Sequence, residues 1–447
     1  LVITGFQSAW GGQVNSEENI ELRNQKLTPF FLTVFFALFL TIAAQCHSGF
    51  SSAAVEPLAT ITVEAGKYTR IDTPVSVELD GISYKQLRLE ELKGSQHLPV
   101  PAQIEASNPP RLWWILSGTT EAGGKRVYKL IDGSPAETLG VEVIKNDSFL
   151  QLRIDDHNVL RYNNAVVPPP EGVSLRYARS GFIHPLWSPT GEVLTCIHPK
   201  DHIHHLGLWM PWTKTEFEGR EVDFWNLGDG KGTVRFVKFL STESGAVYGG
   251  FRAIQEHVDL SAPEGEKVAL NEELDVRVWN LGKSNEGWLL DYTSKQRCAS
   301  ASPLHLLEYR YGGLGFRATG QWNESNSDYL TSEGKTRKDG HGTRARWCNV
   351  FGSTAKGPAG VLFMSHPDNH EHPEPMRIWP EGDVFFNFCP VQKVDWILKP
   401  GNTYIFRYRL YVYSGKIAPE TVERLWQDFG YPPIVELEIL SLKEMRK

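Results

Sequence analysis

Apolar residues recur at every second position along much of this chain, and that period argues against a helical protein. Thr60-Ile61-Thr62-Val63 and Val75-Ser76-Val77-Glu78-Leu79 alternate as half-buried strands do. Leu112 to Leu116, Val141 to Ile144 and Leu150 to Ile154 continue the pattern, with Gly, Pro, Asn and Asp in the gaps. Leu270 to Trp279 carries Leu270, Leu274, Val276 and Val278 at even positions. Tyr404 to Tyr413 (YIFRYRLYVY) is strongly strand-prone and sets Arg407 and Arg409 on one face, where solvation or salt bridging is the ordinary role. Only Pro419 to Phe429 reads as a helix, with Pro near its start, Glu420 in the first turn and Gly430 behind it. Many strands, one terminal helix and no βαβ rhythm predict an all-β fold built on a large β-sandwich. Residues 58–165 are expected as a smaller β-sandwich domain, and the Pro-rich turn 166–172 as its boundary. Residues 166–430 are expected as the main β domain and 431–447 as a tail.

The N-terminal region reads as a targeting segment. Leu27 to Ala44 is nearly all apolar, follows Arg23 and Lys26, and is followed by small residues. Residues 27–54 are therefore expected as a signal peptide and linker, which implies export. Residues 1–26 form an extension unlike a signal n-region. Cys46 after Ile42-Ala43-Ala44-Gln45 leaves a lipid anchor as a second outcome. No later stretch is long and apolar enough to span a membrane as a helix. The 46 basic against 53 acidic residues give a net charge of -7 and no basic surface for nucleic acid. Cys196, Cys298, Cys348 and Cys389 form no CxxC pair, so a zinc knuckle is not expected.

The densest chemistry lies at His198 to Trp209, HPKDHIHHLGLW, with four histidines and an aspartate in eight residues. If this run is extended, His202 and His204 share one face, and Asp201, Ile203 and His205 the other. Asp201 suits the orientation of a neighbouring imidazole, with His202 and His205 as acid/base groups. A second reading makes His202 and His204 ligands of one divalent metal ion, completed by His366 or Glu308. Upstream, Arg179 offers a planar fork for a substrate, with His184 beside it. Glu308, among apolar and aromatic neighbours, is a candidate acid/base partner. Trp209 and Trp225 are candidate stacking faces for a sugar. His366-Pro367-Asp368-Asn369-His370-Glu371-His372 is a second polar cluster, from which His366 and Asn369 are candidate binding residues. No GxSxG elbow, Walker loop or dinucleotide fingerprint followed by a helix is present.

The strings RSGFIHPLWSPTG (Arg179 to Gly191) and HPKDHIHHLGLW resemble a family of exported bacterial proteins of unknown function labelled PmoA-like. Arg346-Trp347-Cys348 and His366 to Asn369 share the likeness, which covers about residues 166–415. The label's methane chemistry belongs to an integral membrane protein with several apolar helices, a pattern this sequence lacks. The resemblance instead implies a mutarotase-like β-supersandwich with an open sugar-binding groove lined by His and carboxylate residues. The combined expectation is acid/base chemistry on a sugar or glycoside: hydrolysis, elimination or epimerisation. A non-catalytic glycan-binding protein is the alternative.

Overall fold

The computed structural model describes residues 56–440; the apolar N-terminal segment and Cys46 lie outside the described residues. The fold is all-β and sandwich-like, with one C-terminal α-helix. Each expected strand is present. Ala59–Glu64, for instance, alternates buried and half-buried positions along its length. Within the stretch expected as a tail, Ile434–Ile439 forms a strand that pairs antiparallel with Ala59–Glu64 and closes the edge of a five-stranded sheet. That sheet and a three-stranded one enclose a small core around Ile61, Leu89, Trp114, Tyr128 and Leu130.

The larger part is two eight-stranded antiparallel sheets sharing one core. Phe363 of one sheet meets Phe316 and Phe386 of the other at ring separations of 5.0 and 4.9 Å. Burying a side chain of this size stabilises by about 1.5–3 kcal/mol. His157–Asn163 pairs with Phe182–Leu186, so the first of these sheets continues across the 166–172 turn. Arg409 is salt-bridged as expected, at 2.6 Å from Asp291. Glu272, which departs from the alternation of Leu270 to Trp279, is buried and bonded to His257 and Ser294.

The helix Pro419–Gly430 buries Val422, Leu425 and Trp426. Its Asp428 takes a 3.0 Å ion pair from Arg70, whose guanidinium also donates to the Tyr431 carbonyl. The helix therefore ties the small core to the large sandwich. Among the described residues no helix is long and apolar enough to cross a membrane. The four cysteines among them are free thiols.

The site is positioned by the first eight-stranded sheet. Across antiparallel strands, paired residues project to the same side. Leu208 pairs with Phe316, and Phe316 with Phe386; these point into the large core. Trp209, Gly315, Asn387 and Arg377 form the next row, on the outer face, joined there by the Arg317 and Phe385 pair. This outer face carries aromatic, amide and guanidinium groups instead of aliphatics, and loops cover it.

Candidate functional site

The run from His198 to His205 is not extended. An isolated bridge between Ile197 and Leu206 closes it, and two successive turns fold it, with His202 N–H donating to Pro199 O and His205 N–H to His202 O. The two-face expectation therefore fails: turns bring His202, His204 and His205 together. The His202 and His205 rings stack at 4.9 Å and 20°, and His204 sits edge-on to both. Two features force this shape. Gly207 has φ +71°, and a Cβ there would lie 2.4 Å from Ile183 O. His198 is held at φ +48°, uncommon for a residue with a side chain, by its Nδ1–H to Ile203 O at 2.9 Å. That bond fixes the tautomer and leaves the buried Nε2 of His198 without a partner.

Asp201 is the hinge of the electrostatics. One oxygen accepts from His202 Nδ1 at 2.9 Å and the other from Arg317 Nη2 at 2.8 Å. Burial raises the Asp201 pKa, but the bonds from His202 and Arg317 outweigh it and hold the carboxyl below its usual range. Arg317 is almost wholly buried, also pairs with Asp383, and lies 5.1 Å from the Trp379 ring. His202 and Asp201 are about two-fifths exposed, so this dyad reaches solvent. With Nδ1 committed to Asp201, Nε2 of His202 is the atom left to take or give a proton.

The neighbours of His202 sit in a drier setting. Burial pushes His204 down to about 4 and His205 well below its usual value. Both are neutral at pH 7. Beneath them His205 stacks on Phe385 at 4.9 Å and leans on Trp209 at 5.4 Å. Trp209 and Trp225 are buried, 4.8 Å apart, with unpartnered indole N–H groups. They form the floor of the site and offer no open face. Gly315 makes room for this floor, since a Cβ there would lie 2.6 Å from Trp225. The reachable aromatic is Trp379, half-buried and 4.6 Å from His202.

The other expected residues lie elsewhere or play other parts. His184 stands next to the cluster: its Nδ1 bonds to Thr195 Oγ1 at 2.9 Å, and burial, with Arg161 and His198 nearby, lowers it to about 4. Arg179 is 2 % exposed inside the sandwich near Glu272, Tyr292 and Tyr162, with one long bond to Phe224 O. At that depth it cannot clamp a substrate at the outer face. Glu308 is exposed and lines a separate cleft with Tyr309 and Arg310. His366 packs on Phe429, and Asn369 is buried, bridging to the backbone of Arg407 in both directions. No contact brings these three to His202. For the metal reading, no group of three His, Cys, Asp or Glu side chains is assembled as a ligand set among the described residues. His202 and His204 have each other, but neither His366 nor Glu308 joins them.

Three contributors were not foreseen: Arg317, Trp379 and Asp383. Arg317 ends the glycine-rich string Gly312 to Arg317. A charge at the end of a Gly-spaced strand was the available signal.

Comparison with known proteins adds a family and little more. No curated protein matches the sequence. Among solved structures, a heparan sulfate lyase, HepC, from Pedobacter heparinus has a TM-score of 0.32 and 14% identity, over 64% of this chain and 38% of that one. An alpha-mannosidase from Enterococcus faecalis V583 has a TM-score of 0.39 and 10% identity, over 86% of this chain and 46% of that one. The chain thus spans less than half of either, and likeness at this level carries no argument about activity. Residues 150–427 match a family profile, a longer stretch than the 166–415 expected from the motifs. The match supports a family of unknown function and gives no support to the PmoA-like label. The chain belongs to DUF6807, a family of unknown function.

Proposed function

We propose that this protein acts on a sugar or glycoside by acid/base chemistry, with His202 as the proton-transfer group and Asp201 as its orienter. The observation that carries the reading is the solvent-reaching Asp201–His202 dyad, anchored from behind by buried Arg317 and flanked by Trp379. A carboxylate on Nδ1 fixes the imidazole tautomer and orients the ring, which a general acid/base needs. Trp379 replaces Trp209 and Trp225 as the face for stacking on a sugar ring. Asp383 and neutral His204 complete the polar rim. The reaction is hydrolysis, elimination or epimerisation, each of which needs one positioned proton carrier beside the sugar. Export by the 27–54 segment belongs to the same reading, as an extracytoplasmic setting suits glycan substrates.

The test is an oligosaccharide screen scored both for binding and for turnover, with wild-type protein and His202→Ala. Turnover by wild type that His202→Ala loses, with binding kept, supports the reading. Equal turnover by both removes His202 from the chemistry. Binding without turnover by wild type assigns the site to glycan recognition.

A further inference from the structure

The outer face of the first sheet does not end at the histidines. Trp225 leans on His205 at one side (6.4 Å) and on Tyr311 at the other (5.3 Å). Beyond Tyr311 lies an open cleft of about 640 Å³ lined by Tyr309, Arg310, His341, Gln392, Lys393 and Glu308. Arg377 stands behind the His341 side of the cleft, donating toward His341 Nε2 at 3.4 Å. Sheet register sets the spacing. Arg377 lies two strands across and two residues along from Arg317, on the same face, which places their Cα atoms about 12 Å apart.

The charges in this cleft are unusual. Arg310, Arg377 and Lys393 form no ion pair with any described carboxylate, whereas most described arginines do. Arg310 rests on the Tyr309 and Tyr311 rings at 5.7 and 5.6 Å. Burial and then the nearby positive charge of Arg310 lower the Arg377 pKa, so the two guanidiniums are close enough to repel. Tyr311 is fixed by Asn226, and the loop behind it by Asn387, which bonds Gly312 N–H and the Leu314 carbonyl. Arg310 and Lys393 line the cleft with one carboxylate, Glu308, and Arg377 is one hydrogen bond away behind His341, so an anion between them relieves the repulsion. A planar guanidinium fork suits carboxylate or sulfate.

We propose that this cleft, separate from the Asp201–His202 dyad but on the same outer face of the sheet, is an anion-recognising subsite, which takes the carboxylate or sulfate of an acidic saccharide whose further units extend across that face toward Trp379 and His202. The proposal rests on the sugar reading of the Asp201–His202 site and narrows its substrate class to acidic saccharides.

Calorimetric titration tests it with three probes of equal length: a glucuronate-containing tetrasaccharide, a sulfated one and a neutral one. Wild-type protein is expected to bind an acidic probe at least tenfold more tightly than the neutral one, with affinity falling as salt rises. Whichever acidic probe binds more tightly identifies the anion. Arg310→Gln and Arg377→Gln should each weaken acidic binding about tenfold or more and leave any neutral binding unchanged. Arg310 is exposed, so its variant stays informative if Arg377→Gln fails to fold. Equal affinity for neutral and acidic probes, or no effect of Arg310→Gln, overturns the proposal. His202→Ala separates the two readings. If it retains turnover while the arginine variants lose acidic binding, the subsite stands and the assignment of His202 falls.

Discussion

Two histidine clusters of similar composition are built in opposite ways in this protein. In 198–205 the imidazoles crowd each other, several ring nitrogens lack partners, and an Asp–His dyad faces solvent. In 366–372 most polar groups are spent on holding chain to chain. Asn369 accepts from Arg407 N–H at 2.8 Å and donates to Arg407 O at 2.9 Å, pinning its loop to the strand Tyr404–Ser414. Ser365, Asn369 and Tyr408 all donate to Glu374, which is fully buried. His372 bonds Ser365, and His370 stacks flat on Trp396. The difference teaches that density of histidine marks a place where chemistry is possible. Whether partners remain free decides whether it happens.

The largest expected effect breaks the comparison most directly. His202→Ala should lower turnover of a screened oligosaccharide by about 10²–10⁴-fold, the usual worth of a positioned acid/base. Its unfolding free energy should change by less than about 0.5 kcal/mol, because the ring is part exposed. Steady-state kinetics and urea denaturation on one preparation check both. A stability loss without a kinetic one would make the first cluster as structural as the second.

Asn369→Ala should do the reverse. Two strand-pinning bonds vanish and a buried carboxyl loses a donor, at a cost of about 2–4 kcal/mol. A lower urea midpoint with unchanged turnover per folded molecule is the expected result. Turnover lost in fully folded protein would place Asn369 in the binding site after all.

Titration sharpens the contrast. Burial, offset in part by the bonds from Ser365, Tyr408 and Asn369, raises Glu374 from 4.5 to about 7. The folded protein holds that proton more tightly than the unfolded chain does. The stabilising contribution is therefore complete below pH 4.5 and is lost as pH rises through 7, by up to roughly 3 kcal/mol. His184 and His204, lowered by burial to about 4, work in the other direction. Their contribution is present above 6.5 and is lost as pH falls through 4. Glu374→Gln should flatten the decline in melting temperature between pH 4.5 and 7 and leave the acid limb unchanged. A decline of the same slope in the variant would mean that Glu374 is ionised throughout.

Much of this was legible in the sequence, for a physical reason. Strand period and helix punctuation are local, so the all-β fold, the strand at Tyr404 and the helix at Pro419 could be read directly. The histidine cluster is also local. Its partners are not: Asp201 meets Arg317 across 116 residues. Period two says that residues share a face, but not whether that face meets another sheet or solvent. Hence Trp209 and Trp225, plausible as sugar platforms, lie under the site, and Arg179 lies inside the sandwich. Glu308 has aromatic neighbours in sequence, yet those tyrosines open onto a cleft. The turns of 199–205 were the least legible feature, since Pro199 and Gly207 exclude a long helix without selecting what replaces it.

The smallest predicted effect is the most pointed test of the comparison. His370 lies 3.8 Å from the Trp396 ring at 13°, with a buried, unpartnered Nε2. Burial lowers its pKa, so it gives the stack no added charge. By composition it could stand in the first cluster, where His205 stacks on Phe385 in nearly the same way. What separates them is company: His205 is in ring contact with His202, and His370 touches no acid/base dyad. His370→Ala should therefore cost only about 1 kcal/mol of stacking, seen as a small fall in urea midpoint, and nothing in turnover. His205→Ala, equally a lost stack, should also disturb the pH profile of turnover, because it removes the surface against which the His202 ring is set. Matching pH profiles for the two variants would show that stacking alone, and not position beside Asp201 and His202, is all that either histidine supplies.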